Sequence, residues 1–480
     1  MQQLTGIDAA FLFGESARSP MHIGSLNIWD PSTAPGGKVR FKRIIQTLVE
    51  RAHLAPYLRQ RLFEVPYKAD FPFWVKDDTF DPEFHVRHIA LPKPGDWRQL
   101  CILVSRIHAR QLDRSRPLWE LYVIEGLDNV EGVAPGSFAY LSKTHHAAID
   151  GKASNDIGNA MCDPTPEIRL MPGGETWEAD IPPTPFELAT IAAQNNMLKP
   201  QRYMEFLKNA VPAWTSTAES IANGELQASP EVPRTRFNGV VSPYRVFEGV
   251  TFPLDDIRAI KSAAGGTVND VMLAICSGAL RSYLLGKKEL PDKSLVTQCP
   301  INVRSKDATV SGGNEISSMA VALRTDISDP KKRMIAICGE TRASKELAQA
   351  IGAKMMIDMA DLTPSHLAAM GARVAAEQGL ANYMQPSFNT IITNVPGSPV
   401  PIYSNGAVQT RAWGIGPCTD GNGLFHNVVS YQKDISIGVS CCREMMPDPS
   451  DYADLLRASF AELKKAFLSK GDMSEQDLLA

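Results

Sequence analysis

The sequence predicts a mixed α/β protein of two lobes. Three observations carry this: a length of 480 residues, strand-like and helix-like patterns that interleave in both halves, and a proline-rich break between the halves. The length is roughly three times that of a usual single domain, so two domains or one large two-lobed unit are expected. Hydrophobic residues make up 44% and charged residues 21%, which supplies a large core without metals or disulfides and excludes wholesale disorder.

In the first part, Phe41, Ile44, Ile45 and Leu48 fall at helical spacing, and Leu100, Leu103, Val104 and Ile107 repeat the pattern, so both segments read as amphipathic helices. Extended runs are expected at 84–91, 121–125 and 137–144, the last behind the turn-forming Pro135-Gly136. From about Asp163 to Pro233 prolines and glycines crowd the chain. The expected organisation is therefore a first lobe over 1–165, a crossover over 166–240 and a second lobe over 241–480. Helix-compatible pieces at 186–195 and 203–214 mean that the crossover is not simply floppy; it either packs over both lobes or touches lipid with Met197, Met204, Phe206 and Trp214. In the second lobe strands are expected at 244–252, 295–299, 316–323, 388–393, 424–431 and 435–441. Helices are expected at 255–263, 269–285, 330–351 and 452–468.

Lys and Arg total 49 against 53 Asp and Glu, a net charge of -4. No global basic field exists to hold nucleic acid or an anionic bilayer, so an anionic ligand has to be met locally. Lys38, Arg40, Lys42 and Arg43 form one basic cluster, read first as a solvated helix face. Eight cysteines without a C-x-x-C pair point to a reducing, cytoplasmic compartment. The opening residues lack the pattern of a secretion signal, and no apolar run is long enough to span a bilayer.

The string that carries chemistry is His145-His146-Ala147-Ala148-Ile149-Asp150-Gly151, placed where the 137–144 run ends. An imidazole with an ordinary pKa of about 6.5 can take a proton from an alcohol near neutral pH and return it to a leaving group. Asp150, in the turn that Gly151 allows, could orient an imidazole or brace the loop through an arginine; both options stay open from the residues alone. Asn269 opens an apolar helix and is read either as its cap or as an oxyanion donor. His85 and His88 have a two-ligand spacing, but in an extended segment they point to opposite faces, against a zinc site. No G-x-S-x-G elbow or G-x-x-x-x-G-K-[ST] loop is present. The 414–423 stretch has Pro417 where a phosphate cradle would want an amide, and reads as a loop lining the cleft.

His-His-x-x-x-Asp-Gly is the motif of a superfamily of CoA-dependent and carrier-protein-dependent acyltransferases. Pro20-Met21-His22-Ile23-Gly24, Arg116-Pro117-Leu118-Trp119-Glu120, Asn269-Asp270-Val271, Pro300-Ile301-Asn302-Val303-Arg304 and Thr393-Asn394-Val395-Pro396-Gly397 resemble strings that occur in this order in bacterial wax ester synthase/diacylglycerol acyltransferases. The resemblance implies two chloramphenicol-acetyltransferase-like lobes with the active site at their interface. It implies a long-chain acyl-CoA donor and a fatty alcohol or diacylglycerol acceptor, with no metal and no resident cofactor. It makes His146 the general base, lets His145 shape the site, gives Asp150 a bracing role with Arg304 as the chosen partner, and has Gly151 leave room for substrate. Peripheral contact of a cytoplasmic protein with a membrane or lipid droplet is expected, through 186–214. The rival readings are a carrier-protein-dependent condensation-type acyltransferase and a non-catalytic lipid-surface protein.

Overall fold

A computed structural model of the chain describes residues 1–149, 158, 160–169, 178–181, 183–302, 316–351 and 353–469. Two six-stranded sheets organise it. In the first, Tyr403–Ser404, Ala407–Ile415, His22–Asp30, Phe138–His145, Trp119–Glu125 and Val86–Ala90 lie side by side in that order. All of its pairings are antiparallel except the outermost, between Val86–Ala90 and Trp119–Glu125. In the second, the order is Ile316–Ala322, Val296–Asn302, Thr390–Val395, Leu424–Tyr431, Asp434–Cys442 and Arg245–Pro253. Its three central strands run parallel and its flanks antiparallel. A small sheet of Gln2–Gln3, Phe73–Lys76 and Gln60–Phe63 sits apart.

The strands and helices expected in the second lobe form close to their read positions, with Leu424–Tyr431 and Pro330–Ile351 matching at both ends. Helix Val268–Gly286 is buried on nearly every side, from Asp270 through Leu280. A helix that is apolar all round belongs inside a core, and this one lies against Pro330–Ile351 and Pro449–Leu468. The hydroxyl of Thr267 accepts the amide N–H of Asp270 (3.2 Å), and the Asp270 carboxylate accepts the amide N–H of Thr267 (2.7 Å). This reciprocal box corrects the reading of Asn269 as the helix cap: the cap is Thr267, two residues earlier.

Other expectations shift. The 84–91 run begins as a helical turn, Pro82–His85, and becomes strand only at Val86. His85 is buried against the Trp119 ring (centroids 4.6 Å apart), whereas His88 lies near Glu125 (3.2 Å), so the two histidines serve separate environments. The two helical pieces of the crossover are one 38-residue helix, Pro185–Ala222, that carries Pro200 and Pro212 inside it and starts with a Thr184/Glu187 capping box. Gly414 and Ile415 are not loop but the end of the Ala407–Ile415 strand, which the late part of the chain inserts into the first sheet.

That insertion brings the sheets together. A Cβ on Gly438 would lie 2.0 Å from the Gly414 carbonyl oxygen, and one on Gly414 would strike the Asn427 amide at 2.1 Å. Only glycine allows this approach. The seam is further held by the Trp97 and Trp413 rings, which meet tilted at 48° with centroids 4.8 Å apart, a Trp97 Nε1 bond to Glu248, and the Arg18–Asp420 ion pair (2.7 Å).

Candidate active site

The Phe138–His145 strand ends at the seam, and a short turn, His146–Ala148, follows at once. Two backbone bonds fix the exit: the His145 amide donates to Leu118 O (3.0 Å) and the His146 amide to Met21 O (2.8 Å). Asp150, Gly151 and Arg304 lie outside the described residues.

His145 is held by a local bond that also chooses its tautomer. The Ala147 amide donates to its Nδ1 (3.1 Å), so the neutral ring carries its proton on Nε2. That nitrogen faces Oε2 of Glu15 at 3.7 Å. Glu15 follows the helix Gly6–Gly14 and its side chain is 1% exposed. Its Oε2 accepts Nε and Nη2 of Arg114 (3.0 and 2.7 Å), its Oε1 lies 3.2 Å from Nε2 of His22, and the Met21 amide donates to Oε1 (3.3 Å). Burial pushes the Glu15 carboxyl up, but the contacts with His145 and His22 and the charge of Arg114 outweigh it and hold the group well below the usual carboxylate range. His22 pairs with His145 across the strands, and the rings meet edge to face at 5.8 Å. Burial lowers His22 to about 4, although Glu15 opposes the shift.

His146 stands on the other side of the turn. The Phe11 ring stacks on it, centroids 4.0 Å apart and 15° from parallel. Its pKa is pushed down to about 4, first by desolvation and next by neighbouring His145. At neutral pH the imidazole is therefore uncharged and can accept a proton. Helix Gly6–Gly14 thus supplies the ring that covers His146 and leads directly into the carboxylate behind His145. Phe11, Glu15, His22 and Arg114 escaped the sequence reading as site residues. His22 stood in a quoted string without a role; nothing local marks the others.

Beside Met21 opens a cavity of about 390 Å³ between the lobes. Its walls come from Ser16, Ser19 and the alanines of helix Ser365–Glu377 on one side and from 419–422 on the other. The Asn422 side chain lines it, is 2% exposed, and has no hydrogen-bond partner for either Oδ1 or Nδ2 among the described residues. Buried amide atoms without a protein partner require another polar group, a water or a ligand atom, to satisfy them. Asn269, in the first turn of helix Val268–Gly286, is partly exposed.

Two mixed sheets that meet beside a strand-end histidine pair are the arrangement that the acyltransferase reading requires. The comparisons with known proteins make the class specific. Residues 4–272 match the model of the wax ester synthase/diacylglycerol acyltransferase catalytic domain, and residues 312–464 that of the corresponding C-terminal domain. The chain belongs to the wax ester synthase/diacylglycerol acyltransferase family. It is 30% identical over 461 residues to the O-acyltransferase WSD of Acinetobacter baylyi, covering 93% of each chain. It is also 30% identical over 479 residues to a Mycobacterium tuberculosis protein provisionally named as a diacylglycerol O-acyltransferase, covering 98% of this chain and 91% of the other. Among solved structures it matches the wax ester synthase/diacylglycerol acyltransferase of Marinobacter aquaeolei with a TM-score of 0.68 at 27% identity, over 97% of this chain and 99% of that one. The fold extends to the trichothecene 15-O-acetyltransferase of Fusarium sporotrichioides, with a TM-score of 0.57 at 11% identity. The two-lobed acyltransferase fold and the family anticipated from the motifs are those found.

Proposed function

We propose that this chain transfers a long-chain acyl group from acyl-CoA to a lipid hydroxyl, a fatty alcohol or a diacylglycerol, with His146 as general base. The enzyme class, acyl-CoA-dependent O-acyl transfer, follows from the family. The residue assignment rests on one observation above all: a neutral imidazole, covered by Phe11, at the end of a strand that reaches the seam between the lobes.

His146 takes the hydroxyl proton as the oxygen attacks the thioester carbon. The tetrahedral intermediate collapses, the carbon–sulfur bond breaks, and His146 returns the proton to the leaving thiolate sulfur. The reaction as written draws on no metal and no resident cofactor. Asn269, freed from capping by Thr267, is the proposed oxyanion donor. His145, locked by Ala147 and backed by Glu15, positions the turn that carries His146. The apolar cavity beside Met21 takes the acceptor, and Asn422 inside it meets the acceptor's polar end.

Peripheral contact with a lipid surface is part of the proposal. No single helix among the described residues is long and apolar enough to cross a membrane. Helix Pro185–Ala222 instead exposes Phe186, Met197, Met204 and Trp214, a set that suits an interface.

His146→Ala should lower esterification of hexadecanol or diolein by palmitoyl-CoA at least a hundredfold, as expected for loss of a general base. Near-wild-type turnover by the purified variant would sink the assignment.

A further inference from the structure

A cavity of about 1170 Å³ lies elsewhere on the seam, between helix Trp97–His108 and the edge strand Arg245–Pro253. It shares no lining residue with the cavity beside Met21. We propose that it binds the phosphorylated nucleotide head of the acyl-CoA donor, the adenosine 3′,5′-bisphosphate end. This rests on the acyl-CoA reading above.

The first observation is charge without a partner. Arg98, Arg106 and Arg110 line the cavity and are exposed. None of the three has a hydrogen bond or ion pair from its side chain to another described residue, whereas most arginines here are paired. Arg98 and Arg106 stand eight helical steps apart, about 12 Å along the axis, and Arg110 follows just past the helix end at His108, so the row can meet phosphates placed some way apart. Arg98 is in the first helical turn, where the macrodipole disfavours a cation. A charge kept at that position, unpaired with any described carboxylate, suits an anion that arrives.

The acids on the same walls do not cancel the arginines. Asp96 accepts the Gln99 amide (2.8 Å) as the helix cap. Glu248 is bound by Trp97 Nε1 and the Gly249 amide (2.9 Å). Asp448 holds Tyr283 (2.7 Å) and Lys287 (2.5 Å). That leaves Glu131 as the wall acid with no such engagement among the described residues, against three unengaged arginines. Tyr244, 53% exposed on the wall and with the Arg443 guanidinium 4.2 Å from its ring centre, offers a flat face for a base.

The second observation is where the cavity leads. Arg110, on its wall, accepts Nζ of Lys143 at its carbonyl oxygen (2.7 Å), and Lys143 stands two residues before His145 on the same strand face. Arg245 reaches from the wall to the carbonyls of Arg18 and Cys418 (3.0 Å for the latter), the residues next to those that line the acceptor cavity. A donor anchored by its phosphates here extends its thioester arm toward the histidine turn, while the acceptor approaches through the other cavity.

The test measures binding of adenosine 3′,5′-bisphosphate by calorimetry, and palmitoyl-CoA kinetics, for wild type and the triple variant Arg98→Gln/Arg106→Gln/Arg110→Gln. The substitutions keep a helix-forming side chain at exposed positions. Bisphosphate affinity and palmitoyl-CoA KM should both worsen at least tenfold, with kcat at saturation within twofold and with palmitoyl-N-acetylcysteamine, which has no nucleotide, used as well as before. Absence of bisphosphate binding in the wild type, or equal affinity in the variant, overturns the site. So does an equal loss in Lys38→Gln/Lys42→Gln, which would mean unspecific charge. Bisphosphate binding that depends on the three arginines in a protein that makes no ester from palmitoyl-CoA supports the site and refutes the acyl transfer instead.

Discussion

Glu15→Gln is the sharpest probe of how the catalytic turn is held. The substitution keeps the side-chain shape and one carbonyl oxygen but removes a charge that is 1% exposed and shared by Arg114, His22 and His145. Removing one partner of a buried ion pair costs about 3–5 kcal/mol. Arg114 is itself 33% exposed and can turn partly to water, so the loss should fall to about 2 kcal/mol. Urea unfolding followed by tryptophan fluorescence reads this directly. Activity should fall further than stability alone explains, because His145 loses the carboxylate behind its Nε2. At a temperature where the variant is folded, kcat should drop tenfold or more with little change in the KM of either substrate. The acid limb of the pH profile should stay in place, since burial rather than Glu15 sets the pKa of His146 near 4. A variant as stable as wild type with kcat within twofold would refute the positioning role, and a displaced acid limb would refute the account of the His146 pKa.

Three further outcomes are expected. His22 is fully buried with its pKa depressed from 6.5 to about 4, so between those values the unfolded chain binds the extra proton and stability drains as pH falls; the shift is worth roughly 3 kcal/mol, and unfolding midpoints recorded from pH 7 to pH 4 should fall less steeply in His22→Asn. Glu15, also depressed, adds its own loss below the ordinary glutamate range. Asn422→Leu should raise the acceptor KM at least tenfold while leaving the palmitoyl-CoA KM unchanged, and equal effects on both would separate Asn422 from the acceptor. Thr267→Ala should cost about 1 kcal/mol by calorimetric melting as the cap is lost; an unchanged melting temperature would return the capping role to another residue.

How far the sequence could be read depends on how locally each feature is encoded. Leu424–Tyr431 and Pro330–Ile351 carry their burial pattern within the element, so periodicity finds both ends. His22–Asp30 is central to the first sheet yet has Ser25 and Asn27 in mid-strand: Asn27 donates to the Ser25 hydroxyl (2.9 Å), which meets Ser142 on the neighbouring strand (2.8 Å); a polar group satisfied across the sheet looks, in one dimension, like a break. Ala407–Ile415 shifts register between Gln409 and Arg411, which spoils its alternation, and its place beside His22–Asp30 depends on the Gly414–Gly438 approach that no single segment shows. The site divides in the same way. His145 and His146 are neighbours and could be found as a motif, but a motif cannot say how far the pKa of the base is moved from its ordinary value. That property comes from Phe11 over the ring and from enclosure at the seam, and the restraint on His145 comes from Glu15 and Arg114. The reacting group is thus written locally and its environment non-locally, so a chain with an intact histidine pair but a polar residue in place of Phe11 should keep the motif and lose the covered, desolvated base, its pKa rising back toward the ordinary 6.5.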